Sequence, residues 1–291
     1  MSTRRGRWIG LAYMAPSLIF VGLFVFWPLG HLLYLSLTST SLLGGGEYIG
    51  FDNYSRAWND KSFWRAFAFT LTYTAYLTPL LMALGFALAL LTTRNTPLRQ
   101  ATRTVVFLPV VIGLASSSLL WFWLFDQQVG LFNKLLVDVG IIDQPLVWFK
   151  KAWLGQLAVI ISVTWKVVGF GMILMVAGIQ AIGSDIIEAS KIDGAGGLMR
   201  ARRIIVPLAA RSILLATLIS AIGSMLAFDQ FYLMTGGGPR GQTFTSVYWI
   251  YQNSFVRFEL GYGSALSVIL MAVITLGTAL QLWIARKGVR A

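Results

Sequence analysis

Six apolar runs decide what this chain can fold into. They extend from about Ile9 to Leu37, Ala66 to Leu91, Val105 to Phe125, Trp153 to Ile182, Leu208 to Met234 and Tyr262 to Ala285. Each reaches the roughly 20 residues that a helix needs to cross a bilayer. Composition agrees: 57% of the residues are hydrophobic and 12% charged, whereas soluble domains carry about 25% charged residues. The expectation is an all-α polytopic membrane protein of six transmembrane helices, forming a single domain over residues 1–291. Pro16, Pro28 and Pro79 lie inside these runs, which a span tolerates when neighbouring groups satisfy the freed carbonyls.

The formal net charge is +12, a value that would suit nucleic-acid binding if the charge were clustered on one surface. It is not. The basic residues form short clusters between the runs, Arg4, Arg5 and Arg7, then Arg94, Arg99 and Arg103, then Lys191, Arg200, Arg202 and Arg203, and finally Arg286, Lys287 and Arg290. Clusters of this kind mark the cytoplasmic side of a membrane protein. They place both termini in the cytoplasm and leave Ser39 to Arg65, Asp126 to Lys151 and Thr235 to Gly261 outside. The first run is too long for a cleaved signal peptide and lacks a small-residue cleavage site, so it reads as an uncleaved span. In the second outer segment Leu131, Phe132, Leu135, Leu136 and Val139 recur at helical spacing opposite Lys134 and Asp138. That pattern predicts a short amphipathic helix at the membrane surface. Trp8, Trp27, Trp148 and Trp153 are expected in interfacial belts.

Catalytic chemistry finds little to work with. The chain has no cysteine, which removes disulfides, thiolate metal sites and cysteine nucleophiles. The single histidine, His31, lacks the partner ligands that a metal requires and reads as a polar residue near the outer end of span one. No Gly-x-x-x-x-Gly-Lys-Ser/Thr phosphate loop occurs, so ATP hydrolysis is not expected of this chain. Gly236, Gly237 and Gly238 with Arg240 could form an anion nest, but a glycine run more often marks a turn. Two ionisable residues are informative. Lys166 lies deep in the fourth run, where a charge costs about 2.5–3.5 kcal/mol unless it meets protein or water. It either lines a pathway or makes a structural pair. Asp229, near the outer end of the fifth run, reads as interfacial.

The polar island between the fourth and fifth runs carries the strongest pattern. From Glu188 to Pro207 it reads Glu-Ala-Ser-Lys-Ile-Asp-Gly-Ala-Gly-Gly-Leu-Met-Arg-Ala-Arg-Arg-Ile-Ile-Val-Pro. Asp185 and Glu188 stand in capping-box spacing, which predicts a helix start. Gly194, Gly196 and Gly197 allow the positive φ that ends a short helix. Pro207 cannot donate an amide and is expected at the entry of the next helix. The fixed gaps of Glu188-Ala189-Ser190, Gly194, Ile204, Val206 and Pro207 resemble the EAA loop of permease subunits in binding-protein-dependent ABC importers. Thr235-Gly236-Gly237-Gly238-Pro239 looks like the Thr-x-Gly-Gly-Pro signature of the MalF-like, carbohydrate-type branch. Gly178-Ile179-Gln180, Ile192-Asp193-Gly194-Ala195 and Phe228-Asp229-Gln230-Phe231 are similar to it as well. The likeness is to the short six-span subunits for sugars and for sn-glycerol-3-phosphate.

The resemblance implies a type I importer permease fold in a bacterial plasma membrane. It implies a coupling loop over residues 184–207, in which Glu188, Ala189, Ser190, Asp193, Gly194 and Pro207 engage a cytoplasmic ATPase. Aligned on Glu188, the cargo-contacting positions of that branch fall on Lys166, Val167 and Phe170 in span four and on Ser220, Gly223, Ser224 and Ala227 in span five. Ser220 and Ser224 share a helix face. It further implies a second permease subunit, two ATP-binding subunits that hold ATP and Mg, and an external substrate-binding protein. No cofactor or metal is expected on this chain. The cargo is expected to be a sugar or oligosaccharide, with sn-glycerol-3-phosphate or a related phosphodiester as the alternative. A secondary transporter would carry ionisable relay residues in several spans, whereas Lys166 stands nearly alone. A membrane enzyme would gather His, Asp or Ser at one interface, and no such cluster is seen.

Overall fold

The structure, a computed structural model, describes the backbone of residues 4–288 and the side chains of residues 13–284. The placement expected for Trp8 and for the basic ends (Arg4, Arg5 and Arg7; Arg286, Lys287 and Arg290) falls outside the described side chains. The regular secondary structure of the described residues is helical, apart from one isolated bridge between Thr38 and Tyr48, and turns and loops join the helices. In chain order the helices are α1 (Arg4–Val21), α2 (Trp27–Leu35), α3 (Asp52–Asn59), α4 (Lys61–Thr92), α5 (Pro97–Val111), α6 (Leu114–Leu124), α7 (Leu131–Asp138) and α8 (Ala152–Gln180). Then come α9 (Ser184–Ile192), α10 (Gly197–Arg200), α11 (Val206–Leu208), α12 (Ala210–Met225), α13 (Ser246–Tyr251) and α14 (Leu260–Gly288). A π turn, Gly22–Phe26, joins α1 to α2 without a break in direction, and another, Ala201–Ile205, joins α10 to α11.

Among the described residues four stretches are long and apolar enough to cross a membrane: Tyr13–Leu35, Lys61–Thr92, Ala152–Gln180 and Leu260–Ile284. The count rises to six if each of two bent pairs is one span. The expected third span is bent by 99° between α5 and α6. Pro109 removes an amide just before the break, Ile112 is extended at ψ 137, and Gly113 opens the next helix. The loss of a ladder hydrogen bond beside a flexible residue accounts for a sharp kink. The expected fifth span also differs. Its helix starts at Gly197 and bends by 78° at Ala209. Pro207 therefore lies inside a bent helix and does not mark its entry. The wide turn Ala201–Ile205 precedes it, where a regular turn would set the proline ring against the carbonyl four residues back.

The chain divides into two compact units. The first comprises the residues through Lys61 together with Ile250–Val273. Buried Asn53 donates to the carbonyls of Ser36 and Thr38 at 3.0 and 2.8 Å. Arg56 pairs with Glu259 at 2.7 Å and lies 3.9 Å from the ring centre of Tyr262, whose hydroxyl donates to Asp60.

The second unit, Ser62–Trp249 with the stretch from Ile274 onward, holds the loop and the cavity described below. Its core runs along α8, where Met172, Met175, Val176 and Ile179 pack with Ala89, Ile205, Ala209 and Ala216. Glycines let neighbours come close. A Cβ on Gly169 would strike the backbone of Val106 and Phe107 in α5, and one on Gly178 would strike Ser212 in α12. The predicted amphipathic helix is present as α7, but its Phe132 packs at 4.7 Å from Phe125 and its Asn133 is buried. Trp148 is likewise buried, donating to Asn133 at 3.1 Å, and is core where a membrane-interface position was expected. Trp27 and Trp153 are exposed, as a belt requires.

Candidate functional site

The loop between α8 and α12 is built from α9 and from α10 and α11, which the turn Ala201–Ile205 joins into one arm. Gly183 precedes α9 with no side-chain cap, and Ser184 Oγ instead contacts Asp185 Oδ1 at 3.2 Å. The capping box expected from Asp185 and Glu188 is therefore not formed. The C-terminal end is formed as the sequence suggests, at one of the three glycines. Gly194 has φ +77, whereas Gly196 has φ −62 and Gly197 is already helical. The amide of Gly194 donates to the Lys191 carbonyl at 3.1 Å and that of Ala195 to the Ser190 carbonyl at 2.9 Å. These two bonds define a Schellman motif, which satisfies carbonyls that a helix end leaves free. Ser190 is buried and donates to the Ile187 carbonyl at 2.6 Å. Glu188, Ala189 and Asp193 are exposed.

Large apolar side chains surround this turn in the open. Ile192 is 87% exposed and Leu198 is 85% exposed. They flank the glycine turn, with Ile186 and Met199 also exposed. Exposed apolar groups close together mark a contact surface.

A cavity of about 220 Å³ lies among α4, α6, α8 and α12 and the turn after α12. Val167, Ser220, Gly223, Ser224 and Ala227 line it, together with Tyr73, Leu77, Asp229 and Gln230. Five of the seven pathway positions thus meet around one space. Ser224 Oγ lies 3.4 Å from Thr78 Oγ1. Lys166 and Phe170 are not on its wall. Lys166 is buried and its Nζ donates to the Val110 carbonyl at 3.3 Å. That carbonyl belongs to the last turn of α5, so the cation sits at the negative end of a helix beside the 99° break.

Sequence reasoning missed Gln230, whose Nε2 reaches Tyr73 at 3.4 Å while its Oε1 is buried without a partner. Asp229, expected near the outer end of the fifth run, is among the residues that line the cavity. The glycine run 236–238 is a turn, closed by Gly238 N–H to the Thr235 carbonyl at 2.8 Å. Thr243 Oγ1 ties the same turn through the Gly238 carbonyl at 2.8 Å. No group of three metal-ligating side chains occurs among the described residues.

Helices of spanning length, two further apolar helix pairs sharply bent, and a mostly apolar cavity among them describe a polytopic membrane protein. The chain belongs to the family described as binding-protein-dependent transport system inner membrane component, which matches residues 61–289. It is 33% identical over 282 residues to the sulfoquinovosyl glycerol transport system permease protein SmoG of Agrobacterium fabrum, covering 96% of this chain and 91% of that one. The lactose transport system permease protein LacF of Rhizobium radiobacter is 31% identical over 287 residues, with 96% and 94% covered. The sn-glycerol-3-phosphate transport system permease protein UgpA of Rhizobium meliloti is 33% identical over 282 residues, with 95% and 94% covered. In fold the chain is similar to one in the crystal structure of a bacterial alginate ABC transporter in complex with alginate pentasaccharide-bound periplasmic protein. The TM-score is 0.85 at 21% identity, with 98% of this chain and 96% of that one covered.

Proposed function

We propose that this subunit forms half of the translocation pathway of an ATP-driven importer for sugars or oligosaccharides, and that its loop helix couples it to a cytoplasmic ATPase. The loop carries the proposal: a helix ended at the Gly194 turn and the helix that follows it expose Ile192 and Leu198, one on each side of that turn. Glu188, Ala189, Ser190, Asp193, Gly194 and Pro207 belong to that coupling element. A second permease subunit, two ATP-binding subunits holding ATP and Mg, and an external binding protein complete the assembly. This chain itself holds no cofactor. Closure of the ATPases shifts the loop helix and selects between inward- and outward-facing arrangements of the spans.

The basic clusters support cytoplasmic termini and a cytoplasmic loop in a bacterial plasma membrane. Val167, Ser220, Gly223, Ser224 and Ala227 are the proposed cargo contacts. Hydroxyls and a carboxylate line their cavity, and no cation does, which favours a neutral, hydroxyl-bearing cargo. Relatives named for sn-glycerol-3-phosphate transport support the second reading, a phosphate ester. Lys166 and Phe170, off the cavity wall, enter the pathway only in another arrangement of the spans. Affinity purification of the tagged chain tests the coupling role: ATPase subunits should co-purify, and their absence at normal expression would overturn it. A thermal-shift screen of the partner binding protein against neutral saccharides and sn-glycerol-3-phosphate separates the two cargo readings.

A further inference from the structure

We propose that the cleft behind the loop helix binds the headgroup of an anionic phospholipid from the cytoplasmic leaflet. The cleft, about 780 Å³, is walled by the end of α4, the start of α5, the end of α8, and α9 and α10. Four cations line it: Arg94, Arg99, Lys191 and Arg200. Glu188 is the acid on the same wall. Arg94, Arg99 and Lys191 have no carboxylate partner among the described residues. Arg200 donates to the Ala195 carbonyl at 3.5 Å and has no carboxylate partner among the described residues. Like charges gathered without counter-charges repel one another, and a bound anion relieves that repulsion.

The rest of the wall identifies the anion's source. Leu90, Leu91, Ile179 and Ile182, at the ends of two spans, make one side of the cleft apolar. A free phosphate has no use for such a surface. A phospholipid does, because its acyl chains follow the span while its phosphate meets the basic rim. The loop helix has two faces. Ser184, Ile187, Glu188 and Lys191, at i, i+3, i+4 and i+7, face the cleft. Ile192 and Leu198 are not on its wall, which leaves both open to an ATPase in front of the helix while a lipid sits behind it, with Glu188 at the border of the two faces. A headgroup in the cleft props the helix from behind and sets its height above the span ends.

The inference rests on the orientation proposed above, and its test is independent of it because both leaflets of a nanodisc are alike. The complete importer is reconstituted in nanodiscs of phosphatidylcholine with or without phosphatidylglycerol. Retained lipid is read by native mass spectrometry, and ATP turnover is read in parallel. The wild type should retain phosphatidylglycerol and turn over faster in its presence. The double variant R94Q/R99Q should lose about tenfold or more in that retention. R202Q/R203Q, outside the cleft, should retain the lipid. Added inorganic phosphate should not displace it. Equal retention by R94Q/R99Q, or displacement by phosphate, overturns the proposal. Loss of the ATPases from R94Q/R99Q also overturns it, assigning the cleft to protein docking. Failure of the wild type to hold ATPases counts against the proposed function alone, since lipid retention is read separately.

Discussion

Replacement of Gly194 isolates one physical term. Its φ is +77, and a Cβ built there meets no heavy atom within 4 Å. Any cost is therefore conformational and not steric crowding by neighbours. An L-residue in the left-handed region costs roughly 1–2 kcal/mol, less for asparagine and more for a β-branched side chain. A factor of about 5–30 in the closed-turn population follows from that range. The two bonds to the Ser190 and Lys191 carbonyls should open in proportion. The order expected is Gly, then Asn, then Ala, then Val. Hydrogen exchange of the Gly194 and Ala195 amides reads the turn, and ATPase co-purification and uptake read its consequence. Membrane insertion should be unchanged throughout. Wild-type exchange and uptake in G194V would refute the reasoning. An asparagine variant as impaired as the valine would refute the φ argument while leaving the glycine important for another reason.

Other perturbations address the spans and the outer segment. G169L sets a side chain against the Val106 and Phe107 backbone; it should cost several times the ~1–3 kcal/mol of ordinary overpacking, seen as aggregation on size-exclusion, and a monodisperse wild-type profile would refute the close approach. K166M removes the donor to the Val110 carbonyl and should lower stability by about 1–3 kcal/mol, whereas K166R should keep most of it; equal melting of all three in detergent would free Lys166 from this role. The Asp126 carboxyl is held below the ordinary carboxylate value by the amides of Val129 and Gln128. The turn it caps is therefore supported above the ordinary value of 3.8 and loosens as pH falls through the lowered one. Amide exchange in Gln128 and Val129 should rise there in the wild type, and D126N should remove that pH dependence.

Much of this was legible because lipid narrows the choices. Apolar run length alone located the four unbroken spanning helices. The glycine end of the loop helix was legible as a choice among Gly194, Gly196 and Gly197, and only the backbone bonds to the Ser190 and Lys191 carbonyls select Gly194. The breaks were not. Pro16, Pro79 and Pro109 all lie within helices, yet the sharp bend follows Pro109. What differs there is tertiary: Gly113 starts a new helix, and Lys166 from α8 supplies a donor to a carbonyl the break leaves free. The capping box failed because Asp185 and Glu188 spacing permits a cap without requiring one, and Gly183 takes the position instead. Trp148 was misplaced because composition cannot distinguish a lipid-facing indole from one bonded to a buried Asn133.

The bend at Ala209 has a mechanical meaning. Its amide donates to the Ile205 carbonyl at 2.8 Å, and its carbonyl accepts from Ser212 and Ile213 at 3.0 and 3.1 Å. The residue is buried. The corner is thus hydrogen-bonded on both arms, and under the proposed coupling role it would act as a crank and not as a hinge. With the arms at 78°, a thrust delivered along the α10–α11 arm is turned almost crosswise before it reaches α12. Ser220, Gly223 and Ser224 ride on that second arm. A small axial push at the loop would thereby be delivered to the cavity wall as a sideways sweep.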